Sequence, residues 1–127
     1  MNLSKPEVKS YLDELKKSVR CGWFRLAPRY KNEQIFVQYI FSEDDMKEII
    51  LGLQVEDFCE AVYNDHRDYK DEILYIFGKS IRLVSKFDSK EEEISLYIKL
   101  NKLSNMYVIV ISFHIQEHPL TYRFKGN

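Results

Sequence analysis

The sequence predicts an α+β domain, with helices first and an antiparallel sheet after them. Three observations carry this expectation. Apolar residues in the first half recur at three- and four-residue steps, the period of a helix with one buried face. Ile94, Leu96, Ile98 and Leu100 then alternate strictly with Ser95, Tyr97, Lys99 and Asn101, the period of a half-buried strand. The segments 88–90, 103–105 and 117–119 that separate the later apolar runs are short and turn-like, as hairpins require. Helical runs followed by strand runs are the α+β pattern. With 127 residues the chain reads as a single domain, 1–127. A domain of that size buries roughly two thirds of its unfolded surface and folds without disulfide or metal staples.

The elements follow in order. Ser4 stands at or just before a helix start and Pro6 in its first turn. Val8, Tyr11, Leu12, Leu15 and Val19 then form the apolar face of a helix ending near Cys21 and Gly22, with Lys9, Lys16, Lys17 and Arg20 on its polar face. Residues 23–28 are extended, because Pro28 forces Ala27 out of the helical region. Residues 34–41 fit a strand or a helix equally well. Ser42, followed by Glu43, Asp44 and Asp45, is a helix start that sets acids against the positive end of the helix dipole. That helix runs through Met46, Ile49, Ile50 and Leu53. Phe58, Ala61 and Val62 predict a second short helix over 55–64, followed by a polar connection. Strands are expected over 72–87, interrupted at Gly78 and Lys79, and over the alternating segment around Tyr97. Residues 106–113, apolar on both faces, predict a central strand. Residues 120–125 predict a last strand closing the sheet.

Composition narrows the function classes. Hydrophobic residues make up 45% and charged residues 31%, which excludes a disordered chain. No apolar run approaches the roughly eighteen residues needed to span a bilayer. The first eleven residues are polar and charged, so no secretory signal is expected. The expectation is a soluble, cytoplasmic protein with no membrane partner. Cys21 and Cys59 lie in no CxxC and beside no paired histidines, so ordinary thiols are expected rather than a disulfide or structural zinc.

The net charge of −1 argues against strong non-specific nucleic-acid binding, but its distribution is uneven. Residues 1–31 hold eight basic and three acidic side chains, a balance of +5; residues 32–75 hold three and twelve, a balance of −9; residues 76–127 hold eight and five, a balance of +3. Two basic ends flank an acidic middle, and the fold could join the ends into one patch or leave them as solvated faces.

No phosphate-cradling glycine loop, HExxH or GxSxG occurs, and His66, His114 and His118 are not spaced like metal ligands on one element. No metal and no cofactor are expected. The polar side of the predicted sheet is more informative. Tyr97 and Lys99, two residues apart, share a strand face, and His114 ends the most apolar strand. Arg82 and Lys86 lie on the opening strand, Arg123 and Lys125 on the closing one. Such a set suits an RNA phosphate. Metal-free RNA cleavage needs a base for the 2′-hydroxyl proton, a cation for the crowded phosphate and an acid for the leaving 5′-oxygen. Histidine serves as either acid or base near pH 7.

Three segments together resemble the MqsR-type toxins. Ile49-Ile50-Leu51-Gly52-Leu53 followed by Glu56-Asp57-Phe58 is similar to that family's IIGL-like stretch with its acidic pair and Phe. Leu96-Tyr97-Ile98-Lys99 resembles its V-Y-L-K strand, and Val110-Ile111-Ser112-Phe113 its I-V-S-F strand. Order and approximate spacing match from about residue 8 to residue 114. The resemblance implies a RelE-like microbial ribonuclease fold, with helices on one side of a curved antiparallel sheet. It implies a metal-independent mRNA interferase that arrests growth, mRNA as substrate, and a cognate antitoxin as partner. The family's strand tyrosine falls on Tyr97. Its lysine after the S-F pair falls on His114, its lysine after the D-F pair near Glu60, and its glutamine before the V-Y strand near Glu72. Either the site is rebuilt, with Glu72 taking the 2′-hydroxyl proton, His114 donating to the leaving oxygen and Arg82 or Lys99 holding the phosphate, or the chain is a non-catalytic RNA- or protein-binding module with the same fold, such as a mobile-element-associated regulator.

Overall fold

The computed structural model describes residues 1–125. The fold is α+β, with three helices against a five-stranded mixed sheet that does not close on itself. Helix α1 (Lys5–Arg20) begins with a capping box: Ser4 Oγ accepts from the Glu7 amide, and Glu7 Oε1 accepts from the Ser4 amide at 3.0 Å. It buries the predicted face, Val8, Tyr11, Leu12, Leu15 and Val19. The chain leaves it through Gly22 at φ +78°, where a side chain would be strained. Strand β1 (Phe24–Leu26) stops before Pro28.

Residues 34–38 of the ambiguous stretch belong to helix α2 (Tyr30–Gln38), which buries Asn32 and Ile35 three residues apart, and Tyr39 beyond it is extended and bridges Ser85. Helix α3 (Glu43–Leu51) starts as predicted, with reciprocal Ser42 and Asp45 hydrogen bonds, and ends at Gly52.

The second short helix does not form. A single 3-10 turn (Val55–Asp57) leads directly into strand β2 (Phe58–Tyr63). The physical reason lies in the register, which skips at Cys59 so that Phe58 opposes Phe77 and Ala61 opposes Tyr75. The bulge turns Phe58 and Ala61 to the same side although they are three apart, and so imitates a helical period. Cys59 is buried, and that burial, reinforced by the Glu60 and Asp57 charges, pushes its thiol up to about 12.

Strand β3 (Ile73–Val84) runs unbroken through Gly78, against expectation, and pairs with β4 (Glu91–Lys102), which pairs with β5 (Val108–Ile115). The order is β1-β5-β4-β3-β2. Strands β2 to β5 are an antiparallel meander, but β1 lies parallel to β5, so the sheet is mixed rather than wholly antiparallel. The helices cover one face. Ile94, Leu96, Ile98 and Leu100 point into that core with Phe58, Phe77 and Phe113. Tyr11 of α1 stacks on Tyr75 of β3, centroids 3.5 Å apart. Among the described residues no helix is long and apolar enough to cross a membrane.

The expected last strand is also absent. After Pro119 the chain crosses the uncovered face of the sheet and curls round the β2 edge, where the Arg123 amide donates to Phe58 O at 3.1 Å and Phe124 stacks on Phe58. Gly78 explains the route: a Cβ there would collide with Tyr122 Oη and stand 2.9 Å from Leu120 Cδ1. Only a strand residue without a side chain lets the phenol lie on the backbone. Substituting Gly78→Ala is therefore expected to leave the sheet intact and lift Tyr122. Overpacking of this kind typically costs about 1–3 kcal/mol. Limited chymotrypsin digestion should show faster cleavage after Tyr122 with little change in far-UV circular dichroism.

Candidate functional site

Directly opposed residues of an antiparallel sheet point to the same side. The register therefore lays out the uncovered face in rungs. One rung holds Gly78, Tyr97 and His114; the next holds Glu60, Ile76, Lys99 and Ser112. Tyr97 and His114, 17 residues apart in sequence, stack with ring centroids 5.2 Å apart and planes 14° from parallel. They share one side of the sheet, opposite the helices, and each is half-buried rather than sealed.

Electrostatics give the groups different tasks. Burial first, then the Glu60, Cys59 and Glu117 charges, raise the Tyr97 phenol above its ordinary value, so it remains a protonated donor. His114 Nδ1 lies 2.9 Å from Ile115 O. A carbonyl oxygen only accepts, so the neutral ring carries its proton on Nδ1 and presents the Nε2 lone pair. Burial and the neighbouring Arg29 charge pull the Lys99 ammonium below the ordinary lysine value, with Asp65 opposing. A hydrogen-bond donor, a proton acceptor and a cation whose proton is held less tightly than an ordinary lysine's thus occupy adjacent rungs.

The other sequence-predicted residues lie elsewhere. Glu72 Oε1 accepts from Asn64 Nδ2 at 3.3 Å and Asn101 Nδ2 at 3.0 Å. Asn101 is four residues along β4 from Tyr97, about 13 Å at the usual strand rise. Glu72 is too far away to share one phosphate with His114, and its pairing with His114 as base and acid does not hold. Arg82 is on the uncovered face but four residues from Gly78 in the opposite direction, and it is ion-paired with Glu91. Lys86 lies off the face altogether: its ammonium donates to Phe36 O of α2 at 2.8 Å, because β3 has ended and the chain has turned toward the helices. Arg123 stands at the β2 edge, donating to Met1 O at 3.0 Å and lying over the Phe58 ring. It lines a groove of about 410 Å³ with Cys59, Glu60, His118 and Thr121. Of Lys99, Arg82, Lys86 and Arg123, Lys99 is the one on a rung next to the Tyr97–His114 pair; the fifth expected cation, Lys125, lies over the Tyr122 ring, 4.4 Å from its centroid.

Sequence reasoning missed Ser112 and Gln116, and reached Glu60 only through the resemblance. Glu60 faces the site because β2 is a strand, and its assignment to a helix hid that. Ser112 shares the Lys99 rung, a placement visible only once the β4–β5 bulge at Lys99 and Leu100 sets the register. Gln116 Nε2 donates to Leu96 O at 2.9 Å, which ties the start of the crossing segment to β4 beside Tyr97. Among the described residues no three His, Cys, Asp or Glu side chains converge on a possible metal position. Compared with protein-family models, curated proteins and solved structures, the chain matches none of them.

Proposed function

We propose that the chain is a metal-independent endoribonuclease acting on mRNA, of the RelE-like kind that the MqsR resemblance implies, and the toxin of a toxin–antitoxin pair. The observation that carries this reading is the stacked Tyr97–His114 pair on the uncovered face, with Lys99 on the next rung. A phosphodiester seated there would have its 2′-hydroxyl proton taken by His114 Nε2 as the 2′-oxygen attacks phosphorus. Tyr97 Oη would donate to a non-bridging oxygen as charge develops, and the Lys99 ammonium would protonate the departing 5′-oxygen. The products are a 2′,3′-cyclic phosphate and a 5′-hydroxyl. The P–O5′ bond breaks as the P–O2′ bond forms, and one proton is taken up and one released.

The test is incubation of the full chain with an RNA oligonucleotide, an all-2′-deoxy analogue and excess EDTA. Cleavage of RNA alone, unaffected by EDTA and yielding a cyclic phosphate by mass, is expected. Induced expression should also arrest growth. Saturable RNA binding without cleavage, together with unaffected growth, would favour the non-catalytic module instead.

A further inference from the structure

We infer that the exposed side of α2 is a docking surface for a basic amphipathic helix of a protein partner. Four of the large apolar side chains that the fold leaves in solvent gather here. Tyr30 (77% exposed) and Val37 (56%) are seven residues apart on one stripe of α2, Ile40 (64%) follows the helix, and Phe87 (79%) projects from the β3–β4 turn. Singly exposed apolar residues are ordinary, whereas a cluster rimmed by polar groups marks an interaction site. The surface is also concave. A groove of about 460 Å³ separates Val37 from Phe87, with Gln34, Gln38 and Glu92 along it, and a second of about 430 Å³ lies on the other side of Val37 between Leu26 and Phe36. Val37 is the ridge between the two.

The charge of the walls chooses the occupant. The charged residues lining these grooves are all acids: Glu92 in the first, Glu33 and Glu43 in the second. Glu92 accepts from Tyr39 Oη at 2.7 Å. The nearby Lys86 ammonium is already committed to Phe36 O. A nucleic acid is repelled by such a rim, and a second copy would set acid against acid. A helix with an apolar stripe for Val37, Ile40 and Phe87 and with Lys or Arg on either side satisfies both features. Gln34 and Gln38 of this surface also line a groove beside His114, so the two sites are neighbours; the inference rests on the exposed apolar stripe and its acids and does not need the ribonuclease reading.

Two synthetic helical peptides of about 18 residues test it. Both carry the same leucine stripe, one with a lysine rim and one with a glutamate rim, and binding to the full chain is read by fluorescence anisotropy and by NMR shifts. The lysine-rim peptide should bind saturably and at least tenfold more tightly than its charge-swapped twin. Val37→Ser and Phe87→Ser, both at exposed positions, should each weaken it about tenfold or more, and E33K with E43K should reverse the rim preference. Equal binding of the two peptides, binding that survives both serine variants, or no binding would overturn the proposal. So would light scattering showing a dimer that Val37→Ser dissociates, since the occupant would then be a second copy.

Discussion

Replacing His114 with alanine is expected to lower single-turnover RNA cleavage by about 10²- to 10⁴-fold, the usual value of one general base. The fold should survive, because His114 stands half-exposed at the end of β5 and its ring hydrogen-bonds the adjacent Ile115 carbonyl. Tyr97→Phe keeps the stacked ring and removes only the hydroxyl, so its cost should be smaller, a factor of about 10² to 10³, in line with loss of one donor to a developing oxyanion. The geometry also specifies which changes do nothing to the chemical step. Glu72→Gln, Arg82→Ala and Lys86→Ala lie two rungs away or off the face and should leave the single-turnover rate within a few-fold. A large loss in Glu72→Gln with an unchanged rate in His114→Ala would reverse the assignment. The rate should also fall as pH rises past the Lys99 value. Burial and Arg29 lower that value, so the descending limb lies at lower pH than an ordinary lysine would place it, and Lys99→Arg should remove it.

Asn32→Ala should be the most destabilising single change in the chain's polar residues. Strand β1 ends at Leu26, and the Ala27 amide makes one more bond, to Val110 O. Beyond that point the β5 edge has no neighbouring strand. The fully buried Asn32 side chain takes its place: Nδ2 donates to Ile111 O and to Ala27 O, each at 3.0 Å, while Oδ1 accepts from the Phe113 amide at 2.9 Å. One carboxamide thus imitates a peptide unit of a missing strand. Truncation to alanine strands three backbone groups, and a buried unpaired group costs about 1–3 kcal/mol. A loss of about 3 kcal/mol or more is expected, against a total stability of about 5–15 kcal/mol for a domain. Urea titration should show a lower midpoint at unchanged slope. Asn32→Asp keeps the acceptor but turns a negative oxygen toward two carbonyls, so it should be no better. A loss below about 1 kcal/mol would mean that water replaces the amide. Because Phe113 adjoins His114, the same variants should also blur the catalytic face.

The outer face and the α2 surface divide the chain's uneven charge between them. The sheet face carries Lys99 and His114 beside Glu60, whereas the two grooves flanking Val37 carry Glu33 and Glu43 from the acidic middle of the sequence and Glu92 from β4. Arg29 of the first basic segment stands near Lys99 of the last one, whereas Lys86 and Arg123 each serve a backbone carbonyl elsewhere.

Local signals sufficed where the physics is local. The Ser4 and Ser42 caps, the period of α1 and the alternation of β4 each depend on residues within a turn or two, so the sequence by itself determined the α+β class, α1, α3 and the side of β4 on which Tyr97 and Lys99 stand. The remainder depended on which strand lies beside which. A one-residue bulge at Cys59 converted an apparent helix into an edge strand and brought Glu60 to the site. The parallel docking of β1 beside β5 left an edge that only Asn32 could fill. Gly78 became a seat for Tyr122 rather than a break. Glu72, four residues of strand away, was separated from the pair it was expected to serve. Register is a long-range property: it is decided by the sum of side-chain packing across strands far apart in sequence, and only the tertiary structure computes that sum.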